Sequence, residues 1–75
     1  MKAFVDVPHN GLFLLKLTAA EYDQGNGVLR LYSDEFSPCQ IKMSYAKANE
    51  ILETLFSDGK VDLRAERASF ESSEF

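Results

Sequence analysis

Residues 44–59 read SYAKANEILETLFSDG, and this stretch decides the fold. Ala48, Ile51, Leu52, Leu55 and Phe56 recur at helical spacing and form one apolar stripe. Lys47, Asn49, Glu50, Glu53 and Thr54 lie largely outside it. Ser44 is a good N-cap, because its hydroxyl can accept from an orphan N–H of the first turn. Gly59 stands where a left-handed C′ residue ends a helix. A helix over 45–57 is therefore expected. At about 20 Å it would cover three or four strands.

Strand patterns surround it. Ala3, Val5 and Val7 alternate with Lys2, Phe4 and Asp6. Pro8-His9-Asn10-Gly11 is a turn, and Leu12 to Leu17 follows as the second arm of a hairpin. Residues 18–27 admit two readings. Thr18-Ala19-Ala20-Glu21 is a capping-box pattern, which favours a helical turn or loop. Alternatively Asn26-Gly27 closes a two-residue hairpin that would pair Asp23 with Arg30 and Tyr22 with Leu31. The first reading is preferred, because alanine and glutamate are poor strand formers.

Val28 to Ser33 and Cys39 to Met43 read as strands, with Leu29 and Leu31 on one face of the first and Cys39, Ile41 and Met43 inward in the second. Val61, Leu63 and Ala65 alternate in a last one. The order is β-β-(turn)-β-β-α-β. The expected fold class is α+β, a mainly antiparallel sheet of four to five strands with one amphipathic helix on one face. Residues 1–66 form the single domain, and 67–75 are expected to be a mobile acidic tail.

Composition agrees. Seventy-five residues hold one domain, and folding a chain of this size buries roughly 60% of its extended surface. Eight basic residues against twelve acidic ones give a net charge of -4. That balance disfavours direct nucleic-acid binding and suggests a partner with a basic surface. Lys16, Arg30, Lys42 and Tyr32 would have to share a sheet face for RNA to be read. The longest apolar run, Leu12 to Leu15, is too short to cross a membrane. The expected location is the cytoplasm, with a reduced thiol.

Catalytic constellations are missing from the sequence. Cys39 is the only cysteine and His9 the only histidine, so neither a disulfide nor a thiolate–imidazole metal cage is expected. Cys39 falls on the inward side of its strand and reads as a small hydrophobe. His9 reads as a solvated turn residue. Gly25-Asn26-Gly27 lacks the spacing of a phosphate loop. No enzyme activity, cofactor or metal is expected.

Binding is the better expectation. One helix covers one sheet face, and Leu12 and Leu14 lie opposite Phe13, Leu15 and Leu17, on the face left open. Tyr22, Tyr32, Phe36, Phe70 and Phe75 are aromatics beyond the core stripe. Asp34, Glu35, Glu50 and Glu53 are the candidate acidic contacts. The C-terminal Ser73-Glu74-Phe75 resembles a carboxylate-terminal docking peptide. Two functions follow. One is a non-enzymatic protein-binding module that occupies a partner's surface, with a homodimer as one form. The other is an acidic inhibitor of nucleic-acid-processing machinery, of the phage or mobile-element kind.

Overall fold

The computed structural model describes residues 1–71. It has the α+β architecture expected, with one helix and five strands. In chain order they are β1 (Lys2–Val7), β2 (Gly11–Asp23), β3 (Val28–Ser33), β4 (Cys39–Lys42), α1 (Tyr45–Asp58) and β5 (Lys60–Phe70). Each strand pairs with the next, and β5 returns to β1, so the sheet closes into a barrel. All the pairings are antiparallel except β1 with β5. The expected open sheet with one covered face is thus corrected: its two faces are an inside and an outside.

Two long strands make closure possible. β2 lies on β1 from Gly11 to Lys16 and on β3 from Leu17 to Asp23, with a register shift between Leu17 and Ala19. β5 lies on β1 from Lys60 to Leu63 and on β4 from Ala68 to Phe70. Between those parts it takes four steps, Leu63 to Arg67, where β1 takes one. Extra residues of this kind bend a strand and strengthen its twist. Each long strand therefore serves two halves of the barrel. Small interior residues suit so tight a closure. Ala3, Ala68 and the helical Ala48 are fully buried, while Leu15, Leu29, Leu31, Ile41 and Leu55 supply the bulk.

The helix matches its sequence signals. Ser44 Oγ accepts from the Lys47 N–H at 3.3 Å. Gly59 has φ 77° and donates its N–H to the Leu55 carbonyl at 2.9 Å. The Gly59 carbonyl then accepts from the Lys2 N–H at 2.9 Å, which seats the start of β5 beside β1. α1 packs against β2 and β5. Ala48 and Leu55 are buried and Ile51 and Leu52 partly so, but Phe56 is 64% exposed. At 100° per residue Phe56 sits about 80° round from Ala48, at the edge of the stripe.

Three local expectations are corrected. Residues 18–23 are strand and not a helical turn: Ala19 and Ala20 pair with Tyr32 and Leu31. Tertiary contacts override alanine's weak strand preference here. The Tyr22 hydroxyl, for instance, donates to the Met43 carbonyl at 2.9 Å. The hairpin turn is also longer than two residues. Asp23 pairs with Val28, Tyr22 with Leu29 and Glu21 with Arg30. The Asp23 carboxylate holds the turn by accepting from the Asn26 amide side chain at 2.8 Å and the Asn26 N–H at 3.2 Å. The segment from residue 67 also departs from a tail, since β5 runs on through Phe70 with Ala68 fully buried. Phe75 and the Ser73-Glu74-Phe75 motif lie outside the described residues.

Candidate functional site

The outer side of the first half of the barrel combines exposed apolar groups with cations. Strand alternation turns Lys2, Phe4 and Asp6 outward from β1, and Leu12, Leu14 and Lys16 outward from β2. The register sets Phe4 directly opposite Leu14, and Asp6 opposite Leu12. Phe4 is 43% exposed, Leu12 65% and Leu14 44%. Three apolar side chains therefore share one solvent-facing patch on adjacent strands.

Lysines border that patch. Lys2 stands opposite Lys16 on one side and Lys60 on the other, a row of three across β2, β1 and β5. Like charges directly opposite cost stability in a sheet. Among the described residues none of the three makes an ion pair within 4.0 Å. The Arg64 guanidinium lies 5.4 Å from the centre of the Phe4 ring, a cation–π contact. Arg64 also donates to both Asp62 oxygens, at 2.9 and 2.7 Å. These bonds draw the Asp62 carboxyl down to about 2 and raise the Arg64 guanidinium. A cleft of about 340 Å³ adjoins Phe4, between Thr54 and Asp58 of the helix and Asp62 and Arg64 of β5.

The expected contact residues divide differently. Phe36 and Phe70 do come together, with Phe13 as a third member. Phe13 meets Phe36 edge-on at 5.4 Å and Phe70 edge-on at 5.2 Å, and Phe36 stacks on Phe70 at 5.4 Å. Phe36 remains 40% exposed, and Phe13 and Phe70 are partly buried. Tyr22 is partly buried and meets Tyr45 edge-on at 5.7 Å. The Tyr32 hydroxyl donates to Glu21 at 2.6 Å, and the nearby carboxylate raises the phenol.

The four acids are exposed but stand on separate elements. Asp34 and Glu35 lie in the loop that enters β4, and Glu50 and Glu53 on the helix that leaves it. The sheet face required for RNA is divided too. Lys16 belongs to the lysine row, while Arg30, Tyr32 and Lys42 are on the second half of the barrel. There Arg30 is engaged by Asp23 at 2.9 Å and by Glu71. Its guanidinium is raised, chiefly by Glu71 and then by Asp23. Asn26 and Arg30 together hold the Asp23 carboxyl at about 2.

Cys39 is fully buried, and burial pushes its thiol up to about 11, so it is not a thiolate at neutral pH. His9 is exposed in the β1–β2 turn at φ 74°, in the left-handed region. Among the described residues no three His, Cys, Asp or Glu side chains are grouped to hold a metal ion. No helix among them is long and apolar enough to cross a membrane.

Leu12 and Leu14 were legible as open-face residues, but Phe4, Lys2, Lys60 and Arg64 were not. Their outward alternation can be read from the sequence. The alignment of Lys60 and Arg64 with Lys2 and Phe4 depends on the β1–β5 pairing, which joins residues some 58 positions apart (Lys2 to Lys60) and leaves no local signal. No family model, no curated protein and no solved structure matches this chain.

Proposed function

We propose that this chain is a small protein-binding module, without catalysis of its own, that works by covering part of a partner's surface. The supporting observation is the patch formed by Phe4, Leu12 and Leu14, bordered by Lys2, Lys16 and Lys60. Exposed apolar groups that are contiguous and rimmed by polar ones are the usual composition of an interaction site. Lys2, Lys16, Lys60 and Arg64 against Asp6, Asp58 and Asp62 give this face a net charge of +1, on a chain of -4. The partner surface it suits is therefore apolar at its centre and acidic at its rim. This differs from the basic partner that net charge alone suggests. The acidic-inhibitor reading rests on Asp34 and Glu35 in the loop before β4 and on Glu50 and Glu53 of α1, all four exposed.

Capture experiments test this reading. Wild-type chain, a variant with Leu12→Ser and Leu14→Ser, and a variant with Glu50→Gln and Glu53→Gln serve as parallel baits. The expected result is a protein held by the wild type and the glutamine variant and lost by the serine variant. The reverse pattern would favour the acidic inhibitor. Light scattering on the same three proteins shows whether the partner is a second copy, since only the serine variant would then become monomeric.

A further inference from the structure

A second cleft, of about 560 Å³, opens on the other side of the barrel, where β5 leaves β1 and crosses to β4. That volume lies within the range of small-molecule sites. Its polar lining is Lys42 and Gln40 from β4, Arg67 and Ser69 from β5, and Asn10 from the β1–β2 turn. Among the described residues no acid contributes to the lining. Arg67 has Asp6 as its cross-strand neighbour, yet among the described residues neither it nor Lys42 makes an ion pair. Val7, Val28 and Phe70 provide an apolar wall.

The four-for-one step in β5 creates this arrangement. It carries Arg67 to the level of Asp6, and the cleft there is lined both by Val7 at the end of β1 and by Gln40 and Lys42 of β4, two strands that do not pair. A guanidinium and an ammonium then face one opening, flanked by amide and hydroxyl groups. Two cations with neutral donors suit an oxyanion, which takes charge-assisted bonds from both. The apolar wall suits a compact hydrocarbon body attached to it. We propose that this cleft binds a small organic anion, a phosphate or carboxylate group on a compact apolar body.

Amide NMR titration of the full chain tests it, with phenyl phosphate, benzoate and inorganic phosphate as probes. Saturable shifts are expected at Asn10, Gln40, Lys42, Arg67 and Ser69 for phenyl phosphate or benzoate, and the tighter of the two identifies the head group. Inorganic phosphate, which cannot use the apolar wall, should bind roughly tenfold more weakly. Lys42→Gln with Arg67→Gln should abolish the shifts while leaving the rest of the spectrum in place. Ser69→Phe, which fills the cleft without changing charge, should do the same. Absence of saturation with all three probes would overturn the proposal. So would shifts that survive both variants, or that fall on Lys2, Lys16 and Lys60 instead.

Discussion

The strand β2 contributes to two outer faces, and they treat charge in opposite ways. Its first part, with β1 and the start of β5, carries Phe4, Leu12 and Leu14 in the open and three lysines side by side. Its last part, with β3, has Arg30 at the centre of a network. Arg30 is held by Asp23 and Glu71 and approached by Glu21 at 3.9 Å, while Glu21 accepts from Tyr32. The Arg30 side chain is only 17% exposed, whereas Leu12 is 65% exposed. On the second face polar groups satisfy each other, and their contribution is to the fold. On the first, Leu12 and Leu14 are exposed, and among the described residues Lys2, Lys16 and Lys60 make no ion pair.

The comparison breaks most severely if the paired face loses its last strand segment. Ending the chain at Arg67 removes buried Ala68, the Phe70 ring and the pairing of β5 with β4. It also removes Glu71, whose N–H donates to the Pro38 carbonyl at 2.8 Å. A loss of about 3 kcal/mol or more is expected in urea unfolding followed by circular dichroism. A fully stable shortened chain would return these residues to the status of a tail.

Arg30→Gln is a smaller disturbance of the same face. It should lower the melting temperature and shift the Asp23 titration upward from about 2 toward its ordinary 3.8. The sign follows from linkage. A carboxyl held lower in the folded than in the unfolded state stabilises above about pH 4, and that stability is lost as pH falls through about 2. The variant should therefore lose part of its acid-dependent stability in that window. Carbon-detected NMR of the aspartate carboxyls, with Asp62 on the opposite face as the unaffected control, reads both effects.

The smallest expected effect has the opposite sign. Lys2→Gln relieves repulsion from both Lys16 and Lys60 and should raise stability by roughly 0.5 kcal/mol. A measurable loss in the same denaturation assay would mean that the lysine row supports the fold.

How much of this was visible beforehand depends on the range of the interactions. The helix was legible to within a residue, because Ser44, Gly59 and the stripe between them act locally. So were the alternation of β1 and β3 and the inward side of β4. Closure was not, since it depends on β2 and β5 bending through register shifts that no single residue announces. Ala19 and Ala20 misled for the same reason: their strand state is set by Tyr32 and Leu31 across the sheet. Of the expected contacts, Phe36 and Phe70 came together. Tyr22 and Tyr32 have their hydroxyls bonded within the fold. In the sequence Phe4 is only an alternating neighbour of Ala3 and Val5; Leu14 opposite and Arg64 over its ring make it part of a site.

Lysine acetylation footprinting of the captured complex, read by mass spectrometry, tests the assignment of the binding face most directly. Lys2, Lys16 and Lys60 should lose most of their reactivity when the partner is bound, while exposed Lys42 on the other half of the barrel keeps its own. Full reactivity of the three-lysine row within a saturated complex would contradict the account.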